Sequence, residues 1–314
     1  MGPYKAYFPE FWNKHGKKLE NLGKRSITSI FLYEFCIDKE GIIYMQKKFL
    51  EGTSKIYFPI TIIQTALDCY NEYIQKKDLK ARDIFLKYSE WLIKNSTTTK
   101  AGVGWLHTWK MNIAGYKFKK PYKWISGITQ GMALNVFIRA HSLTGKKKYL
   151  DACKGIIKTF ETPVSKGGIL DVDKEGNWWY EEYPGYKRAH VLNGFIYALL
   201  GLYEYQDYTK DKKAKKLFEK GIKTLETNIE SFNINLGLLK WSRYDTGKIF
   251  YSGKRYHKTV HMPQIKILHQ LIKKEIFLKQ YREWLKYSKR YSIIAKLVDL
   301  PLLGIIKIRG LIGI

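Results

Sequence analysis

Cysteines, prolines and acids are all scarce in this 314-residue chain. Its three cysteines, Cys36, Cys69 and Cys153, are widely spaced and pair into no motif. That excludes a disulfide framework and points to buried thiols in a reducing compartment. Only 28 Asp and Glu stand against 56 Lys and Arg, a formal net charge of +28. A field of that sign attracts polyanions such as nucleic acid, anionic lipid or acidic polysaccharide. No apolar h-region opens the chain, since PYKAYFPEFWNKHGKKLENLGKR is polar and aromatic. ITSIFLYEFCI is too short to span a bilayer and contains Glu34. These features lead us to expect a cytoplasmic protein.

Several kinds of chemistry lack their motifs. His107 stands alone and His261 and His269 are eight apart, so no metal is expected. No Gly-rich loop follows a strand in phosphate-binding form, and Ser126 and Ser252 have no nucleophile-elbow context. No cofactor is expected. Basic runs such as Lys146–Lys148 accompany no nucleic-acid-binding motif and read as solvated face.

Aromatic residues, by contrast, reach 15%, with 24 Tyr and 9 Trp. That excess suits carbohydrate, because an amphipathic ring can stack on a sugar while its polar tip bonds a hydroxyl. The chain also repeats itself. FPITIIQTALDCYNEYI, ISGITQGMALNVFIRAHSL, AHVLNGFIYALLGLYEY and VHMPQIKILHQLI each carry an amide, Gln64, Gln130, Asn193 or Gln264, followed by apolar residues every three or four positions. The amides lie 66, 63 and 71 residues apart, a modular signature. A second, Lys-rich amphipathic helix follows each copy. The pattern predicts a predominantly all-α fold, an incomplete α/α toroid of about four helix hairpins, with apolar first helices inside and lysine-rich second helices outside.

Alternating segments between the pairs predict β-hairpin insertions at one rim. GGILDVDKEGNWWYEEY turns at its D-K-E-G-N, LLKWSRYDTGKIFYSGKRY turns around Asp245-Thr-Gly247, and FCIDKEGIIYMQ is a third candidate. We expect an N-terminal segment over 1–52, a toroid over 53–290 and an apolar tail over 291–314. The tail is broken by Pro301 and Gly304, which suits closure over the core or peripheral contact with a membrane surface.

The adjacent carboxylates Glu181 and Glu182 end the first hairpin. If they alternate as in a strand, one points inward, where burial among aromatics raises its pKa toward a proton-transfer value. Tyr244 and Asp245 follow a strand of the second hairpin, and Tyr256 lies beyond it. A tyrosine becomes an acid or base when cations lower its pKa, and Arg243, Lys254 and Arg255 are close in sequence. Trp178 and Trp179 fit either hairpin packing or a sugar platform.

WYEEYPGYKRAHVLNGFIYALLGLYEY (179–205), KWISGITQGMALNVFIRAHSLTGKKKYL, IYFPITIIQTALDCY and RYHKTVHMPQIKIL occur in the order and with the spacing of similar stretches in one family. On them the chain resembles the C-terminal domain of the D-glucuronyl C5-epimerases over roughly residues 53–290. The resemblance implies an α/α toroid that inverts C5 of a uronic acid within a heparan- or heparosan-like acidic polysaccharide, without cofactor or metal. It implies catalytic roles for Glu182, Tyr183, Tyr244 and Tyr256, the last in a motif with one residue inserted before His261. Arg243, Lys254, Arg255, Trp179, Gln130 and Asn193 are the expected substrate-binding residues. The expected partner is the polysaccharide and not nucleic acid, and a homodimer stays open. A uronic-acid polysaccharide lyase, or a non-catalytic acidic-glycan-binding protein, are the alternatives.

Overall fold

The computed structural model describes residues 33–49, 52–108, 123–185, 190–236, 239–247 and 256–286. The tail over 291–314, Lys254 and Arg255 lie outside the described residues.

FCIDKEGIIYMQ supplies β1 (Tyr33–Ile37) and β2 (Ile43–Phe49), and β3 (Gly52–Ile56) adds a third antiparallel strand. Four helix hairpins follow. The first pairs α1 (Pro59–Lys76) with α2 (Leu79–Lys94), and the second α3 (Gly127–Thr144) with α4 (Lys148–Glu161). The third pairs α5 (Leu192–Thr209) with α6 (Lys212–Asn228), and the fourth α7 (Met262–Ile272) with the helix over 275–286, α8.

Local chemistry sets the helix ends. Asp78 accepts bonds from the Lys80 and Ala81 amides, and Asp211 accepts one from Ala214, both supplying N-caps. Gly145 closes α3 at φ 67, a left-handed position that glycine adopts without strain.

The two helices of a pair divide inside from outside as their patterns predict. Every residue of α3 but His141, Leu143 and Thr144 is buried. On α6 only a stripe, including Leu217, Phe218, Ile222 and Leu225, is buried, while Lys212, Lys213, Lys215, Lys216, Lys220 and Lys223 are exposed. Much of the positive charge is therefore a solvated outer wall. Neighbouring inner helices pack in series, α1 on α3 and α3 on α5. The α3–α5 seam is tight: a Cβ on Gly201 would lie 2.1 Å from the Gly131 carbonyl oxygen, so only glycine permits this backbone approach. A buried ion pair fixes the same seam, with Arg139 Nη2 on Glu204 Oε1 at 3.0 Å and the Asn135 amide on Oε2. Among the described residues α7 and α1, the ends of the series, form no comparable seam. The architecture is an incomplete α/α toroid.

Three small hairpins join these pairs: β4 (Thr97–Thr99) with β5 (Gly102–Gly104), β6 (Leu170–Val172) with β7 (Trp178–Tyr180), and β8 (Asn233–Leu236) with β9 (Leu239–Ser242). The returning arm of the hairpin expected around Asp245-Thr-Gly247 lies outside the described residues. The described strand LKWS pairs upstream with NINL, in a register that sets Leu236 opposite Leu239. No helix among the described residues is long and apolar enough to cross a membrane.

Candidate active site at the helix N-termini

The ends of β7 and β9 converge on the N-termini of α3 and α5. The Gly127 amide donates to the Glu181 carbonyl at 2.8 Å, and Ser126 Oγ donates to the Glu182 carbonyl at 2.9 Å. On the other side the Leu192 amide donates to the Tyr244 carbonyl at 3.0 Å, and Val191 bridges Asp245. Backbone bonds thus carry Glu182 and Tyr244, 62 residues apart in sequence, to one place.

Both Glu181 and Glu182 are buried, at 1% and 6% exposure, where strand alternation would turn one of them outward. The strand stops at Tyr180, and the bonds to α3 bend the chain so that a two-residue period no longer applies. Glu181 meets His190 Nδ1 at 2.5 Å. Glu182 faces Tyr244, whose hydroxyl lies 3.5 Å from Oε1, and Tyr183 also bonds the carboxylate. The Tyr183 and Tyr244 hydroxyls are 3.3 Å apart. Oε2 of Glu182 has no protein partner among the described residues.

Burial raises the Glu182 pKa to about 7, against the partly compensating tyrosine hydrogen bonds. A carboxyl titrating there can accept a proton near neutral pH and release it again. Burial, and next the Glu182 charge, push Tyr183 and Tyr244 well above the ordinary phenol value. This differs from the expectation that cations lower the tyrosines. Arg243, the one of the three expected cations among the described residues, turns a guanidinium nitrogen onto the Gly247 carbonyl. Tyr183 and Tyr244 are therefore neutral proton donors at rest.

Tyr256 packs on Tyr244 with ring centroids 5.1 Å apart, so all four expected catalytic residues share the site. Trp124 completes a small aromatic cluster with Tyr183, Val191, Tyr244 and Tyr256, set off from the main core. Its ring stacks on His107 at 4.1 Å, and the two residues bridge through their backbones. Trp124 was not among the expected site residues. The tryptophan in KWISG was its only sequence signal.

The expected substrate-binding residues disperse. Trp179 is 2% exposed, stacked on His190 at 4.2 Å and donating through Nε1 to Asp173, a packing role beneath the hairpin. Gln130 faces the outer helix, bonding the Val103 carbonyl and Thr159 Oγ1. Asn193 is buried beside Gly194 at the site, and its carbonyl accepts from Gln264. Of the three expected cations only Arg243 is described. It flanks Tyr244 and retains an Nε–H with no partner among the described residues.

Among the described residues one trio, Asp171, Glu181 and His190, brings atoms of metal-ligand type within 4.8 Å of one another. Glu181 and His190 engage each other directly, and the His190 ring stacks on Trp179. His257 and His261, four apart in a spacing the sequence reading passed over, both turn Nδ1 to Ser242 and are not arranged around a cation site.

The family described as D-glucuronyl C5-epimerase C-terminus matches residues 101–286. An uncharacterized protein of Methanocaldococcus jannaschii is 26% identical over 239 residues, 72% of this chain and 76% of its own. A D-glucuronyl C5-epimerase of Caenorhabditis elegans is 28% identical over 217 residues, 65% of this chain but only 35% of that longer protein. A solved family 76 glycoside hydrolase from a bovine Bacteroides thetaiotaomicron strain overlaps 70% of this chain and 45% of its own. At TM-score 0.46 and 13% identity, that likeness is too loose to bear on activity. With the family match covering more than half its length, this chain belongs to the D-glucuronyl C5-epimerase C-terminal domain family.

Proposed function

We propose that this chain inverts C5 of uronic acid residues in an acidic polysaccharide, with Glu182 and a neutral tyrosine working on opposite faces of the sugar. The observation that carries the reading is the buried Glu182 carboxyl, titrating at about 7 with one oxygen facing Tyr244 and the other unpartnered among the described residues. Glu182 takes the C5 proton. The C–H electron pair passes into the uronate carboxylate as an enediolate, and Tyr256, or Tyr244 once the sugar has parted its hydroxyl from Glu182, gives its phenolic proton to the opposite face. The proton held by Glu182 then returns to the phenolate along the Tyr183–Tyr244 hydroxyl pair or through solvent. Arg243, with Lys254 and Arg255, balances the carboxylate charge. The basic surface steers a polyanion toward the site. Action in the cytoplasm, with peripheral membrane contact through 291–314, belongs to the same reading.

The test is incubation with a panel of uronate polymers, heparosan-like ones included, in deuterated water. Deuterium entering C5 with no unsaturated sugar formed supports the epimerase. Unsaturated ends that grow with chain cleavage mean that the same carbanion expels the C4 substituent, as in a lyase.

A further inference from the structure

Behind Tyr256 lies a buried polar group that the proposed chemistry does not use. Ser242, the last residue of β9, is fully buried, as are His257 and His261. The two histidines bracket a π turn, His257–His261, that leads directly into α7. Widening a helix by one residue is what a π turn does, and it absorbs the extra residue noted before His261.

The Ser242 amide donates to His257 Nδ1 at 3.0 Å, which fixes that nitrogen as the bare one and leaves the proton on Nε2. Ser242 Oγ lies 2.9 Å from His257 Nδ1 and 2.7 Å from His261 Nδ1. Because His257 Nδ1 already has a donor, the hydroxyl proton is best spent on His261, giving each nitrogen one donor. Burial keeps both rings neutral, at about 4 for His257 and about 3 for His261.

The connectivity matters more than the individual bonds. Ser242 is two residues before Tyr244, and His257 directly follows Tyr256. Tyr256 is sandwiched between Tyr244, at 5.1 Å, and the His261 ring, at 6.0 Å and 25°. The strand end that carries one candidate proton donor is therefore tied to the turn that carries the other.

We propose that Ser242, His257 and His261 are positioning residues, a hydrogen-bonded staple that holds Tyr256 against Tyr244. The proposal rests on the epimerase reading for its kinetic consequence but not for its structural one. The test therefore uses two readouts on the full chain, C5 exchange and the fluorine resonance of 3,5-difluorotyrosine placed at position 256. Asn reproduces an imidazole's Nδ1 and Gln its Nε2. His261→Asn should keep the resonance and the exchange rate near those of the unsubstituted chain. His261→Gln and Ser242→Ala should shift the resonance and lower kcat by about tenfold or more with KM unchanged, the scale on which small misplacements of catalytic groups act. If both His261 variants give the same resonance and the same kcat, differing only in melting temperature, the staple is structural filler and the proposal fails. If no chain exchanges C5, the epimerase reading fails instead, and the fluorine shift alone decides the staple.

Discussion

Glu182 occupies the space that any side chain at position 194 would need. A Cβ on Gly194 would lie 2.2 Å from Glu182 Oε2 and 2.7 Å from Glu182 Cβ. Gly194 sits in the first turn of α5, so the glycine lets the carboxylate approach the positive end of that helix.

Gly194→Ala should therefore push the Glu182 carboxylate aside. We expect C5 exchange to fall by about ten- to a hundredfold, with a stability loss of about 1–3 kcal/mol from overpacking. Gly221→Ala is the control, because its Cβ would meet the Leu199 and Tyr180 side chains instead. It should lower the melting temperature and leave the exchange rate unchanged.

Glu182 should weaken the fold that holds it. Its pKa rises from 4.5 to about 7 on folding, so between these values the folded chain retains a proton that the unfolded chain has lost. Stability contributed by this group is present below pH 4.5 and is lost as pH rises through 7. At about 1.36 kcal/mol per unit the penalty above pH 7 is roughly 3 kcal/mol. Glu182→Gln removes the charge. Denaturant melts at pH 8 should find it more stable than the unsubstituted chain, and melts at pH 5 should find the difference mostly gone.

His261 has the opposite sign. Its pKa falls from 6.5 to about 3 through burial, so the unfolded chain binds a proton that the folded chain refuses. Its stability contribution is lost as pH falls below 6.5. The drop in melting temperature between pH 7 and pH 5 should be smaller in His261→Asn than in the unsubstituted chain, the other titrating groups being common to both. An equal drop would show that His261 does not titrate with unfolding.

Much of this fold was legible because its signals are local and repeated. The four amides and their apolar spacing mark the inner helices, and the Lys-rich amphipathic pattern marks the outer ones. The neighbourhood of Glu182, Tyr183 and Tyr244 was legible through their motifs. What escaped depends on contacts distant in sequence. Nothing near Glu181 announces that bonds to Ser126 and Gly127 will end the strand and bury both acids. Gln130 and Trp179 have side chains suited to sugar, and only packing against Thr159 and His190 shows where they face. The raised tyrosines follow from desolvation, which cations nearby in sequence do not overcome.

The Arg139–Glu204 pair gives a test of the ring itself. Both side chains are buried, so Glu204→Ala would strand a guanidinium inside the α3–α5 seam. We expect a loss of about 3–5 kcal/mol, whereas the double replacement Arg139→Met, Glu204→Leu should recover part of it, leaving the cost of the Asn135 amide that Glu204 no longer accepts. Urea melts of the two variants measure the difference directly.

The most direct test of the central claim is the pH dependence of deuterium entry at C5, compared between the unsubstituted chain and Glu182→Gln. With Glu182 as the base, exchange should rise with pH through a single limb centred near 7 and be absent from Glu182→Gln at every pH. Exchange that persists in Glu182→Gln with the same pH limb would contradict the account.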